Sequence, residues 1–234
     1  MKIFTWNCNG GFRNKLHLLN NIDADIFVIQ ECENTAKAQQ KYEEWMPRYL
    51  WKGSNINKGL AIFVKSNFLL KPLNWEDEGL ELFLPVEING IVFIGVWTKF
   101  ANSPTFQYIG QLWKYLQRHK NKIGVQPTIL CGDWNSNSQW DVWDRWWNHS
   151  DVVMELQDLN IYSVYHQIHK ENQGEETQST FYMQRNLNKP YHIDYLFSSA
   201  ELFDVSVSSA HVFDQNKWLK YSDHVPILFE LNKE

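Results

Sequence analysis

Two consecutive residues near the C-terminus, Asp223 and His224, open the otherwise apolar segment HVPILFEL. A charge drawn out of water is costly unless it is paired. A carboxylate beside an imidazole at the mouth of a strand is therefore either a solvated strand end or part of a reaction site. Related patterns recur along the chain. KIFTWNCNG ends in Asn7 and Asn9, DIFVIQE in Glu31, and TILCGDWN in Asp133 and Asn135. A spacing of two puts Asn7 with Asn9, and Asp133 with Asn135, on one face of an extended chain. HIDYLF carries Asp194 inside an apolar run, where burial demands a partner such as His or Arg. His224 and His192 compete for that place, His192 sharing a strand face with Asp194. Taken singly, each residue has a plain structural reading: Asn9-Gly10 as a turn, Glu31 as a solvated strand end, an Asp or Asn after a strand as a turn former or helix cap.

Together they point to one rim. Open α/β sheets place ligand sites beyond their strand ends, and carboxylates gathered there repel one another unless a cation is present. Oxygen donors, few histidines and no paired cysteines favour Mg²⁺ or Mn²⁺ over zinc. The three cysteines, Cys8, Cys32 and Cys131, are too far apart for CxxC spacing and read as buried, reduced thiols.

The elements that must position these residues follow from periodicity. KIFTWN, DIFVIQE, GLAIFV, TILCGDWN, HIDYLFSS, VSVSSAHVF and HVPILFEL read as strands. LFLPVEI and IVFIGVW flank Asn89-Gly90, a strong two-residue hairpin signal. Helical spacing appears in Leu16, Leu19 and Ile22; in Ala38, Tyr42 and Trp45; and from Pro104 through Phe106, Ile109, Leu112, Trp113 and Leu116. Ser138 is placed to cap a helix with Trp140, Trp143 and Trp147 on one stripe, and Ser150 another with Val152, Val153, Leu156 and Leu159. KENQGEETQST, residues 170–180, reads as a polar surface loop. Helices spread between strands, with at least one antiparallel hairpin, predict a single α/β domain over 1–234 built on mixed sheets.

Composition bounds the rest. The chain has 234 residues, 44% of them hydrophobic, with 12 Trp and 14 Phe, which is enough to bury a substantial core. Its net charge of −5 means that any nucleic-acid binding relies on a local patch rather than a basic surface. The N-terminus lacks a signal-peptide h-region and no apolar run is long enough to span a bilayer, so a cytoplasmic protein is expected.

WNCNG, IQE, GDWN, HIDYLF and SDHVPI, in that order and across nearly the whole chain, resemble the endonuclease/exonuclease/phosphatase superfamily. The resemblance implies a four-layer sandwich: two packed mixed β-sheets flanked by helices. It implies a Mg²⁺-dependent phosphodiester hydrolase, with Mn²⁺ as the other cation, acting by in-line attack of water on phosphorus. Residue by residue, Glu31 matches the main metal ligand and Asn9 a position that is metal-ligating Asp or Asn in relatives. Asp223 matches a metal-linked carboxylate, and Asn7 the Asn that braces the metal and phosphate region. Asp133 matches the acid that positions or deprotonates the water, and Asn135 the Asn that hydrogen-bonds a phosphate oxygen. His224 matches the catalytic His and Asp194 the acid that orients it.

One departure stands out. Where the family usually has a Tyr or His near the phosphate, GVWTKF has Trp97, which carries an N–H but no acid/base proton. A Tyr-type role in handling the phosphate is then lost, or Thr98 or Lys99 substitutes; the plain reading is that Trp97 is simply core. The STFYMQRNLNKPYHIDYLF stretch resembles the AP-endonuclease segment that lines a sugar pocket. It nominates Phe181, Tyr182 and Tyr191 as substrate contacts and Arg185 or Lys189 as phosphate contacts, with a short core strand as the plain reading for Phe181 and Tyr182. The Trp stripe reads first as core, then as a stacking platform for bases, then as a membrane-dipping surface. A nuclease acting on DNA or RNA is the leading function. A phosphatase or phosphodiesterase on inositol phosphates or phospholipids is the second, and a non-catalytic binding module the third.

Overall fold

Strand alternation sorts the apolar residues into layers. In the computed structural model, residues 1–77, 79–80, 82–100 and 105–233 are described. Their strands are β1 (Lys2–Asn7), β2 (Ile26–Cys32), β3 (Arg48–Asn55), β4 (Lys58–Val64), β5 (Leu70–Pro72), β6 (Phe83–Ile88), β7 (Ile91–Trp97), β8 (Thr128–Asp133), β9 (Ile161–Ser163), β10 (Phe181–Tyr182), β11 (Pro190–Tyr191), β12 (Asp194–Ser199), β13 (Ser209–Val212) and β14 (Ile227–Glu230). The helices are α1 (Gln39–Trp45), α2 (Gln107–His119), α3 (His149–Asp158), α4 (Val164–His169) and α5 (Gln215–Trp218). One six-stranded sheet runs β13-β14-β1-β2-β4-β3 and the other β5-β6-β7-β8-β12-β9, while β10 and β11 form a separate ribbon. β1 runs parallel to β2 and β7 to β8, the other pairs being antiparallel, so both sheets are mixed.

The period of two decides what each face meets. Ile3, Val28, Ile62, Phe93, Cys131 and Leu196 point between the sheets and form the central core. Their neighbours Phe4, Phe27, Ile29 and Phe63 point outward under Phe12, Tyr42 of α1 and Trp218 of α5. On the other sheet Ile94, Leu130 and Phe197 point outward under Leu112 and Leu116 of α2 and Val152 and Leu156 of α3. The result is the four-layer α/β sandwich. The hairpin at Asn89-Gly90 forms as read, with φ of 50° and 84° and Ile88 paired with Ile91. All three cysteines are buried and free. No described helix is long and apolar enough to cross a membrane.

Several local expectations give way. Leu16 to Ile22 is not an α-helix: 3₁₀ turns occupy Phe12–Asn14 and Leu16–Leu19. The buried Glu33 carboxylate accepts the backbone N–H groups of Phe12 (2.6 Å) and Arg13 (3.0 Å), which tightens the chain before a helix can propagate. The Trp-rich stretch holds only the 3₁₀ turn Ser138–Trp140, capped by Asn137 rather than Ser138. Asn148, not Ser150, caps α3, in a capping box with Asp151. The strand expected over VSVSSAHVF shortens to β13, because Asp204 accepts the Ser206 N–H and turns the chain there. Pro104 lies outside the described residues, and α2 is described from Gln107.

The 170–180 loop is more than a polar surface. Glu176 is tied inward, its carboxylate accepting from Gly174 N (3.0 Å) and Asn137 Nδ2 (3.1 Å) and pairing with His166 Nε2 (3.0 Å). Burial alone would raise the Glu176 pKa, but these partners outweigh it and pull it down to about 2. His149 beneath the loop is fully buried between Ser136 and Gln173, and burial pushes its imidazole down to about 4. Both shifts act in one direction. A His whose neutral form is buried loses stability as pH falls from its ordinary 6.5 toward about 4, where the unfolded chain binds a proton that the fold refuses. Glu176 adds a further loss as pH falls through 4.5 toward about 2. Unfolding free energy, read from urea titrations, should therefore fall between pH 7 and pH 5, by up to ~2 kcal/mol from His149 alone, and H149Q should flatten that dependence.

Candidate active site

Asp133 ends β8 and Asp194 begins β12, and the two stand directly opposite each other in antiparallel register. Both are buried, with 0% and 1% exposure. Like charges facing across a strand pair destabilise the sheet unless something positive lies between them. His224 does. Its Nδ1 is 2.9 Å from Asp194 Oδ2 and its Nε2 is 3.8 Å from Asp133 Oδ2. Burial alone would lower the imidazole's pKa, but Asp194 and Asp133 outweigh it and raise it well above the ordinary range. Burial pushes the Asp133 carboxyl up, and the facing His224 restrains that rise. Asp133 is further fixed by Asn7 Nδ2 (2.9 Å) and Asn135 Nδ2 (3.0 Å) on Oδ2 and by the Asn135 N–H (2.8 Å) on Oδ1.

The backbone around this cluster is stitched from four sequence-distant segments. Ser222 Oγ donates to the Asn7 carbonyl (2.7 Å) and accepts the His224 N–H (3.1 Å). Trp6 Nε1 donates to the His224 carbonyl (3.1 Å). Thr180 Oγ1 accepts the N–H groups of Ile193 (3.0 Å) and Asp194 (3.1 Å), and its carbonyl accepts Val225 N–H (2.6 Å). Gly132 has φ of 145°, and a Cβ there would sit 1.9 Å from the Val96 carbonyl oxygen. Only glycine lets β8 lie this close to β7, which brings Asp133 level with Trp97.

Beside the cluster opens a cleft of 550 Å³ whose wall includes Asn7, Asn9, Glu31, Asp223, Asn135 and His224. Glu31 and Asn9 both adopt left-handed backbone, with φ of 56° and 53°. For Glu31 this coincides with a register shift between Gln30 and Cys32, a bulge of the kind that re-aims a side chain beside a site. Its carboxylate pairs with Lys58 Nζ. Asn9 does not share a strand face with Asn7, since β1 ends at Asn7, whose Oδ1 accepts the Asn9 N–H (3.1 Å).

Asn9, Glu31 and Asp223 offer only oxygen, and the nearby Cys8 thiol belongs to the outer core layer, where burial pushes its pKa up to about 12. These donors fit a hard divalent cation. The tightest set of ligand-type atoms among the described residues, Asp133, Asp194 and His224 within 4.8 Å, is already engaged with itself and fits a shared proton better.

The other nominated residues fall on different sides. Trp97 and Lys99 line the cleft, with Lys99 Nζ 5.0 Å from the Trp97 ring centroid. Trp97 also belongs to the central core, at the boundary between that core and the cleft. Thr98 is occupied: its hydroxyl donates to the Trp134 carbonyl and its N–H to that of Asp133. Tyr182 does not reach the cleft. It lines a separate groove with Val212 and Trp218, because Phe181 takes the cleft face of the ribbon and the next residue must face away. Phe181 instead lies 4.7 Å from the His224 ring. Tyr191 stands behind Phe181, its ring 5.0 Å from Trp140. Arg185 and Lys189 are exposed and outside the cleft wall. His192 is not the partner of Asp194: its Nδ1 meets the Gln178 carbonyl (2.7 Å) and its ring packs on Tyr165. Sequence reasoning missed Lys58, Thr180 and Ser222. Only Lys58 had a readable signal, since it heads the strand whose next residue, Gly59, pairs with Cys32 beside Glu31.

The Endonuclease/Exonuclease/phosphatase family profile matches residues 4–224. An AP endonuclease from Archaeoglobus fulgidus has a similar fold, with 22% identity, a TM-score of 0.71 and 100% of each chain covered. So does the 3'-5' exonuclease NExo from Neisseria meningitidis, with 21% identity, a TM-score of 0.68 and 100% of each chain covered. The APE2 catalytic domain of Xenopus laevis has 18% identity and a TM-score of 0.67, with 99% of this chain and 91% of that one covered. No curated protein matches in sequence.

Asp194→Asn removes the carboxylate that raises His224, so the imidazole pKa should fall; an NMR titration of the His224 ring reads this directly.

Proposed function

Because the chain belongs to the endonuclease/exonuclease/phosphatase family, we propose that it is a divalent-metal-dependent phosphodiester hydrolase and, more narrowly, a nuclease acting on DNA or RNA. The observation that carries this reading is the buried Asp133–His224–Asp194 cluster beside a cleft whose wall also carries three oxygen donors, Asn9, Glu31 and Asp223. Glu31, Asn9 and Asp223 would hold the cation, Mg²⁺ or Mn²⁺. When bound, it neutralises charge on the phosphate and the leaving oxygen.

The protein's own groups account for the proton and the geometry. Asp133, aimed by Asn7 and Asn135, accepts a hydrogen bond from the attacking water and takes its proton as the bond to phosphorus forms. His224, kept protonated by Asp194, donates from Nε2 to the phosphate oxygens, where charge develops. Asn135 lines the same cleft, its Nδ2 donating to Asp133 Oδ2 and the Thr98 carbonyl, and would hydrogen-bond a phosphate oxygen only by giving up one of these. Lys58 keeps Glu31 oriented when no cation is present.

A nucleic-acid substrate is supported by a second pocket of 370 Å³, walled by Phe181, Ile193, Tyr108 and Trp140, which meets the cleft at Asn135. Aromatic walls of that size suit a sugar or a base. The structure of a similar protein in complex with a product DNA hairpin, described as a 3' phosphatase, has 20% identity and a TM-score of 0.71, with 100% of each chain covered. It favours a second reading, removal of a terminal phosphate at the same site.

The test is a cleavage panel of single- and double-stranded DNA, an abasic duplex, RNA, a 3'-phosphorylated strand and an inositol polyphosphate, each with Mg²⁺, Mn²⁺ or EDTA. Metal-dependent turnover of a nucleic acid is expected, lost in EDTA. His224→Ala should reduce turnover by about 10²–10⁴-fold, and Glu31→Ala should raise the metal concentration needed for half-maximal rate. Turnover of the inositol compound alone would move the protein to the phosphatase branch.

A further inference from the structure

The loop from Trp140 to Trp147 turns large aromatic surface to solvent. Trp143 is 95% exposed, Trp146 68% and Val142 43%. Single exposed apolar residues are ordinary, but a cluster of Trp is not. The exposure does not come from a loose chain. Asn148 Oδ1 accepts the Val142 N–H (2.9 Å) and Arg145 Nε–H (2.8 Å), while its Nδ2 donates to the carbonyls of Val142 (3.1 Å) and Arg145 (2.5 Å). Asp141 accepts the His149 N–H (2.8 Å) and Ser150 N–H (3.1 Å), which ties the loop to the start of α3. Arg145 also donates to the Trp140 carbonyl (3.2 Å). Indoles on a frame this well bonded are presented rather than left over.

The loop is continuous with the hydrolytic site. Trp140 and Arg145 form one wall of the 370 Å³ pocket, whose other members Tyr108, Asn135 and Phe181 also line the catalytic cleft. We propose that the Trp140–Trp147 loop is a stacking ledge for the bases of an unpaired nucleic-acid strand, leading that strand into the cleft. The ledge rests on the hydrolase reading only for what happens to the strand on arrival.

Charge and shape choose this occupant. The stretch Ser138–Asn148 has two Asp, one Arg and no Lys. A loop that docks on anionic lipid carries a basic rim, and a duplex tracker relies on cations along the phosphates. This loop has neither, on a chain of net charge −5. Stacking tolerates any base but requires bases freed from a duplex stack, and the strand's phosphates then meet cations in the pocket and the cleft, Arg145 beside Trp140 and Lys99.

The measurement is fluorescence anisotropy of end-labelled oligothymidylate and of a blunt duplex of equal length, in EDTA so that neither is cut. Hydrolysis of bis(p-nitrophenyl) phosphate with Mn²⁺ is followed in parallel. The single strand should bind more tightly than the duplex. W143A and W146A should each weaken it about tenfold while leaving the slope of log affinity against log salt unchanged, since no phosphate contact is removed. W143F should retain most of the affinity, and hydrolysis of the small diester should be the same in every variant. Wild-type single-strand affinity in W143A and W146A would overturn the ledge. So would Trp-dependent pelleting with phosphatidylcholine–phosphatidylserine vesicles alongside Trp-independent oligonucleotide binding. Trp-dependent strand binding with no turnover of the diester would leave the ledge standing and remove the hydrolase reading instead.

Discussion

Two buried carboxylates facing each other across adjacent strands set the terms for this molecule. Asp133 and Asp194 occupy paired positions in β8 and β12, where an apolar pair would have been the stable choice. The arrangement holds because His224 enters between them from the other sheet, 2.9 Å from one and 3.8 Å from the other. Much of the surrounding architecture serves that placement. β14, which follows His224, is wedged beside β1, and Trp6, Ser222 and Thr180 fix the backbone on either side of the imidazole. The two sheets are thus joined at their rim by a polar contact, while Ile3, Val28, Phe93 and Leu196 join them apolarly below.

Charge is arranged differently in the two halves of the cleft. In the buried half it is settled internally, by one imidazole and two carboxylates with amide support. The open half carries Asn9, Glu31 and Asp223 on its wall. Glu31 is displaced from its strand face by a bulge and a left-handed backbone, a conformation of the kind that persists only where neighbours enforce it. Lys58 compensates it from the adjacent strand. The buried cluster and the Glu31–Lys58 pair thus sit in one cleft, each balanced by its own partners.

The aromatic richness divides in the same way. Trp6, Trp134 and Trp218 are wholly buried and fill the outer layers, where their size substitutes for long helices. Phe181 and Trp97 occupy the boundary between core and cleft. Trp143 and Trp146 are held outside altogether by Asn148 and Asp141. One residue type thereby supplies packing, a pocket wall and a surface.

The packed sandwich was implied by the family resemblance; the sequence by itself determined the alternating strands, the Asn89-Gly90 hairpin, an α/β domain on mixed sheets and the identity of the polar residues at the strand ends. Those depend on local periodicity and on residue chemistry, which a linear chain displays. Only the tertiary structure decided that His224 and not His192 meets Asp194, because the two lie 30 and 2 residues away and proximity along the chain says nothing about which sheet a side chain enters. It also decided that Phe181 rather than Tyr182 faces the cleft, a choice of strand face that flips with a one-residue change of register. The Trp stripe looked helical because its spacing of three and four is the helical period, yet the Asn148 side chain captures the Val142 N–H that a helix continuing from Ser138 would need. Thr180 and Ser222 were invisible in the sequence for the same reason: each acts through hydrogen bonds to segments far along the chain, and such partners exist only once the sheets are packed.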